Sequence, residues 1–201
     1  MITRLEGDAF EQAMSTIAGM IDAECRLSID WLSKTQNIAL PREEGLPVFE
    51  CEERQRFISA LSTHQGSSII ATPTAPLIGE SISLSGSTLL GKNTVRVDKP
   101  VIYSLSNDSE SLTQLFDDVL FSSALISDMN GSFAIMEHIP AEHSVLSGSQ
   151  TFIECCIGMP LKNGWNEFDE VVTSWKSSSS DFRYLQSIFK YYRSNAMPID
   201  C

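Results

Sequence analysis

Apolar residues between positions 94 and 159 recur with the periods of strands and helices, and these periods predict the centre of the fold. From Val95 to Leu105 every second residue except Lys99 is apolar, which predicts a strand that turns one face inward. Pro100 has the opposite parity and indicates an edge or a bulge in this strand.

A helix and two further strands are predicted in the same region. Ser111 and Gln114 have the spacing of a capping box, and Asn130-Gly131 is typical of a helix C-terminus. The predicted helix buries one face, formed by Leu112, Leu115, Phe116, Val119, Leu120 and Ile126. One predicted strand contains Phe133, Ile135 and Ile139, and the inner face of the next is Ile153, Cys155, Ile157 and Met159.

The flanking segments are mainly helical by the same criterion. A first helix is predicted from Asp8 to Leu32 and a second from Val48 to His64, separated by a proline-containing linker over residues 33–47. Short strands are predicted over residues 67–72 and 80–85. Near the end, Asn166 predicts the cap of one helix and Asp181 the cap of another.

These elements predict an α+β fold, with a largely antiparallel sheet of about five strands and helices packed on one face. Residues 1–46 are predicted to form an N-terminal helical arm and linker. Residues 47–201 are predicted to form the α+β domain with its C-terminal helices.

Charge and composition restrict the function classes. The 201 residues carry a net charge of −12, which disfavours nucleic acid and anionic membranes as partners and favours a basic protein, although solubility alone also explains such a charge. No apolar run approaches the roughly 20 residues that a membrane helix needs, and residues 1–10 lack the apolar stretch of a signal peptide. A cytoplasmic location is therefore expected.

Cysteine usage agrees with a reducing compartment. The chain has five cysteines and no C-x-x-C motif, so free thiols are expected.

Three patterns resemble chemical sites without completing one, and no cofactor is expected. Residues 86–92 match G-x-x-x-x-G-K, but Asn93 replaces the Ser or Thr that a phosphate loop needs, and a strand is predicted to follow. Glu137-His138 and Glu142-His143 could bind a metal with Cys155 or Cys156, or could form a polar hairpin tip. Cys156 with His143 could form a thiol-enzyme pair, although a cysteine in an apolar strand is more often inert.

Two groups of residues are candidates for binding another protein. The second helix carries Glu50, Glu52 and Glu53 on its polar face, where a solvated surface is the ordinary alternative. The last helix carries more aromatic residues than one face can bury, so Tyr184 and Tyr191 are predicted to contact a partner or to pack in the core.

From Val48 onward, the predicted order is helix, three strands, helix, two strands, helix. With the acidity, this order resembles the class I chaperones of bacterial type III secretion. The similar portion comprises Val101-Ile-Tyr-Ser-Leu-Ser and the following helix to Asp128, the strands ending at Met159-Pro160-Leu161, and the helix around Trp175. The resemblance implies a non-enzymatic homodimer that holds an extended segment of another protein. The arm before residue 48 and the helix after Ser180 are extra to that pattern.

The sequence thus favours a non-enzymatic bacterial protein-binding module, either a secretion chaperone or a toxin-immunity protein. A small enzyme or metal-binding domain using His138, His143 and Cys156 is one alternative. A phage or plasmid antagonist of a nucleic-acid-binding protein is another.

Overall fold

Nine strands lie in the part of the chain that the computed structural model describes, which is residues 2–42, 51–63, 68–79, 82–85, 94–97, 99–106, 108–111, 114, 124–138, 143–174 and 180–196. In chain order they are β1 Ile2–Arg4, β2 Ile38–Arg42, β3 Ile69–Pro73, β4 Ile82–Ser85, β5 Thr94–Val97, β6 Tyr103–Leu105, β7 Ala124–Asp128, β8 Ala134–His138 and β9 His143–Gly148.

The helices of the described residues are α1 Gly7–Met20, α2 Ile29–Thr35, α3 Cys51–Thr63, α4 Gln150–Ile157, α5 Leu161–Ser174 and α6 Ser180–Ala196. A 3-10 helix spans Ala75–Ile78, and residues 109–111 and 114 are also helical. Within these ranges, no helix combines the length and apolarity needed to cross a membrane.

Seven strands form one antiparallel sheet in the order β1-β6-β3-β7-β8-β9-β2, and β4 and β5 form a separate two-stranded sheet. The predicted α+β class with an antiparallel sheet is therefore confirmed, with seven strands in place of about five. Both edge strands come from residues 2–42, because β1 pairs with β6 and β2 pairs with β9.

Helices cover both faces of the sheet, whereas the sequence predicted one covered face. Ser127 of β7 contacts Met20 of α1, and cross-strand pairing places Ala39 of β2 on this same face. Arg42, three residues further along β2, lies on the opposite face and binds Glu53 of α3. Every residue of β3, β7 and β9 is buried, as expected for strands with helices on both sides.

The N-terminal segment is helical as predicted, but it contains two helices and two strands. The first helix ends at Met20, and a loop containing Cys25 with φ of +55° precedes α2, which Ser28 caps. Strand β2 lies inside the predicted linker. The domain boundary predicted at residue 46 falls among residues outside the described part. The segments on its two sides share one sheet and one hydrophobic core.

Proline separates two strands where the sequence predicted one. Residues 94–97 pair with β4 in the small sheet, and Tyr103–Leu105 pair with β1 and β3 in the large one. Pro100 lies between them and cannot donate a ladder hydrogen bond.

The predicted helix over residues 111–126 is wrong at both ends. Asp108, not Ser111, begins the helical turn, because its carboxylate accepts from the Ser111 backbone N–H at 2.7 Å. Ala124–Asp128 is the central strand of the sheet. Asn130-Gly131 belongs to the β7–β8 turn, where Gly131 has φ of +66°, and does not end a helix.

The strand predicted through Ile153 and Met159 is helix α4, which Ser149 caps through the Phe152 backbone N–H. Residues 152, 153, 156 and 157 are the buried ones, so the helical period governs this segment. The preceding strand β9 pairs with β8 in a hairpin, and the polar tip predicted between them falls on residues 139–142, outside the described part. Predictions of α3, β3, β4, β8 and α6 are confirmed with shifted ends.

Candidate functional site

The loop of residues 21–28 is organised by one carboxylate. Asp22 accepts hydrogen bonds from the backbone N–H groups of Glu24 and Arg26, both at 2.9 Å. Its second oxygen accepts from Arg26 Nε at 2.9 Å and lies 2.8 Å from Arg26 Nη2. Burial raises the pKa of Asp22, but the hydrogen bonds and charge of Arg26 outweigh it, so the pKa lies below its usual value.

Two adjacent tyrosines of α6 fix this loop to the helix. The Tyr191 hydroxyl lies 3.1 Å from Asp22 Oδ2, and the Arg26 guanidinium stacks 4.0 Å from the Tyr191 ring centroid. The hydroxyl of fully buried Tyr192 accepts from the Leu27 backbone N–H at 2.9 Å. The loop is therefore held by polar contacts as well as by packing.

Tyr184 remains at the surface beside this rigid loop. It is the one exposed large apolar side chain among the described residues, with an exposed fraction of 36%. One side of its ring packs edge-on against buried His143 of β9, with centroids 5.4 Å apart. Burial raises the pKa of Tyr184 and nearby Arg26 opposes this, so its hydroxyl is protonated at neutral pH. We call Tyr184 with Asp22, Glu24 and Arg26 the Tyr184 surface.

The charge of this surface is mixed. Glu24 is largely exposed, with 71% of its side chain accessible, but it pairs with Arg26 at 2.9 Å. Exposed Arg183, next to Tyr184 in α6, adds positive charge. Direct contact here would therefore depend on the tyrosine ring and hydroxyl more than on net charge.

The predicted glutamates do not join the Tyr184 surface. Glu53 is only 14% exposed and pairs with Arg42 at 3.1 Å and Arg56 at 3.7 Å. Glu52 is exposed, and Glu50 lies outside the described residues. Helix α3, which carries Glu52 and Glu53, packs on the opposite face of the sheet from α6, since Arg42 and His143 point to opposite faces.

His143 and Cys156 do not form a catalytic pair. His143 points to the face of the sheet that α6 covers. Gly148, five residues further along β9, points to the opposite face and lies against Phe152 of α4, the helix that carries Cys156. Burial raises the pKa of the Cys156 thiol far above its usual value, with neighbouring Cys155 adding to the shift and Arg42 opposing it. A buried neutral thiol is not a nucleophile at neutral pH.

Strand pairing does bring the two predicted histidines together. His138 lies directly opposite His143 in the β8–β9 register. The described residues nevertheless contain no group of three or more His, Cys, Asp and Glu arranged to hold a metal, and Glu142 lies outside them.

Other candidate ligand sites are weak. The phosphate-loop pattern over residues 86–93 lies outside the described part, but Ser85 pairs with Thr94, so a hairpin strand follows it as predicted. A cavity of about 110 Å³ lies between β2 and α5 and is lined mainly by apolar side chains, with Arg42 and Glu167 as its charged residues. Cys155 and Cys156 are free thiols, as predicted.

Tyr184 and Tyr191 were predicted from the sequence, whereas Asp22, Arg26 and Leu27 were not. The sequence does contain a signal for this loop. An aspartate side chain often closes a turn by accepting hydrogen bonds from backbone N–H groups a few residues later, as Asp22 does from Glu24 and Arg26. No protein-family model, curated protein or solved structure matches this chain.

Proposed function

We propose that this chain is a non-enzymatic protein-binding module that contacts its partner through the Tyr184 surface. The observation that carries the proposal is that Tyr184 stays exposed while the loop beside it is fixed by Asp22, Tyr191 and Tyr192. An exposed aromatic ring on a rigid support is typical of residues that dominate binding energy.

Preorganisation supports the same proposal. The Tyr184 ring already packs against His143, so binding would immobilise few additional torsions. The protonated hydroxyl can donate a hydrogen bond while the ring buries apolar area. Such a surface gives specificity through shape and one directed polar contact.

The net charge of −12 supports a basic partner by steering its approach, even though the contact surface itself is mixed in charge. Within this class, we propose a secretion chaperone or a toxin-immunity protein in the bacterial cytoplasm. The element order that suggested a chaperone differs from the folded one, where residues 124–128 form a strand and 150–157 a helix. The chaperone assignment therefore depends on the charge and on the binding surface.

Site-specific photo-crosslinking in the native host tests the proposal. A photoreactive phenylalanine analogue at position 184 is expected to give one dominant crosslinked protein. The same analogue at position 52, which is exposed on the opposite face, is the matched control. No product at position 184, or equal products at both positions, would refute the assigned surface.

Affinity measurement with the crosslinked protein completes the test. Tyr184→Ser is expected to weaken binding by about 30-fold, the effect of losing a residue worth about 2 kcal/mol. Glu52→Gln, at an exposed position of α3 on the opposite face of the sheet, is expected to leave affinity unchanged. Unaltered affinity in the Tyr184 variant, with an unchanged melting temperature, would contradict the proposal.

A further inference from the structure

Strand β1 forms one edge of the sheet, and some of its backbone hydrogen-bonding groups point away from the neighbouring strand. Leu5 donates its N–H to Ile102 at 2.8 Å, and the β1–β6 register continues this pairing through Thr3 and Ser104. Since antiparallel pairs alternate between bonded and non-bonded, Ile2 and Arg4 point their N–H and C=O groups away from β6. In the described part of the chain no strand pairs with that outer side.

The opposite edge of the sheet is protected. Helices α5 and α6 both pack against β2, and Pro41 within that strand has no N–H to offer. An exposed edge strand attracts another strand unless it is covered. The two edges therefore differ, and β1 is the one able to extend the sheet.

An apolar groove adjoins the β1 edge. It has a volume of about 510 Å³, and its apolar lining includes half-buried Leu5, Phe10, Met14 and Pro100. Pairing through β6 and β3 places Thr3 on the face of Ser127, which touches α1, and Leu5 shares that face. The groove thus lies between the outer edge of β1 and the first turns of α1.

The groove carries a balanced set of charges in a strongly acidic protein. Its charged lining residues are the exposed Arg4, Lys99, Glu6 and Glu11, whose charges sum to zero. Two copies with a net charge of −12 each repel one another over most of their surface. A neutral region with both signs is where that repulsion is weakest and where a two-fold axis can match cations with carboxylates.

We propose that a second copy of this chain docks at the β1 edge. A two-fold axis perpendicular to the sheet would pass near Thr3 and pair Ile2 of each copy with Arg4 of the other, using four outward backbone groups per copy. The axis sets the two α1 helices on the same face, where Phe10 and Met14 of both copies cover the grooves. This interface is isologous and does not use the Tyr184 surface.

Charge-reversal variants, measured by analytical ultracentrifugation, test the proposed dimer. The E6K/E11K variant gives each copy four cations at the groove, and the R4E/K99E variant gives four carboxylates. Each alone is expected to weaken dimerisation at least about tenfold, because like charges then face one another across the axis. An equimolar mixture of the two variants is expected to restore dimers, since opposite charges then meet.

The matched control is E52K/E167K, which reverses two exposed glutamates that do not line the groove. It changes the net charge from −12 to −12 + 4 = −8, as E6K/E11K also does. General repulsion would make both variants associate more strongly, whereas the proposal expects only E6K/E11K to dissociate. Circular dichroism melts establish that every variant is folded.

Three outcomes would overturn the proposal. The wild-type chain could remain a monomer at all concentrations, both groove variants could remain dimeric, or the mixture could fail to form heterodimers. If the wild-type chain is a monomer, the β1 edge is available to a different polypeptide. None of these results bears on the Tyr184 surface, so the two proposals fail independently.

Discussion

Removal of the Tyr192 hydroxyl tests how the candidate site is held together. The hydroxyl is the acceptor for the Leu27 backbone N–H at 2.9 Å, and both residues are fully buried. Tyr192→Phe keeps the ring but leaves that N–H without an acceptor. A buried donor that loses its partner costs about 1–3 kcal/mol. In a chain of 201 residues the melting temperature changes by about 2–4 °C for each kcal/mol of stability lost. We therefore expect the melting temperature of Tyr192→Phe to fall by about 2–12 °C.

Urea unfolding and differential scanning calorimetry measure this cost. Tyr184→Phe, on the same helix, is the matched control, because it removes the same atom from an exposed side chain and should change stability by less than about 0.5 kcal/mol. Equal melting temperatures for Tyr192→Phe and the wild-type protein would refute the reasoning. So would an equal loss in both variants, which would show that burial and hydrogen bonding do not distinguish the two hydroxyls.

Three further predictions concern the loop, the thiol and a helix cap. The lowered pKa of Asp22 contributes stability above the unfolded value of about 3.9, and this contribution is lost as pH falls through the folded value. Urea unfolding should therefore show Asp22→Asn less stable than wild type at pH 7, with the difference narrowing as pH falls below about 4; a constant difference would contradict this. Cys156 should resist iodoacetamide at pH 8 in the native protein and react in urea, as mass spectrometry of its peptide can show; native labelling would revive the thiol-enzyme alternative. Ser149→Ala should cost about 1 kcal/mol in urea unfolding because it removes the α4 cap, whereas Ser187→Ala, at an exposed position of α6, should cost much less.

Much of the helical periphery was predictable. Helix α3 and helix α6 have apolar stripes of sufficient length, and their ends fall within a few residues of the predicted ones. The candidate site was predictable in part: the aromatic excess of α6 indicated Tyr184 and Tyr191. The loop that they support was not, because Asp22 and Arg26 act through contacts with residues about 165 positions away, such as the 3.1 Å contact of Asp22 with Tyr191.

The centre of the sheet was predicted less well. The strand Ala124–Asp128 was predicted to be part of a helix, and the helix Gln150–Ile157 overlaps a strand predicted from Ile153 to Met159. Ile153, Cys155 and Ile157 alternate as a strand would, yet Phe152, Ile153, Cys156 and Ile157 also form one helical face. A short apolar segment satisfies both periods, so local pattern does not choose between them.

By itself, the sequence determined the α+β class, the antiparallel pairing, the outer helices and the acidic charge, because these follow from apolar period, capping residues and composition. Only the tertiary structure decided that helices cover both faces, that residues 2–42 supply both edge strands, and that Tyr184 lies beside the Asp22 loop. The physical reason is the distance along the chain over which each kind of interaction acts. Periodicity and caps act over a few residues, whereas strand order and surface composition depend on which distant segments bury one another's apolar faces.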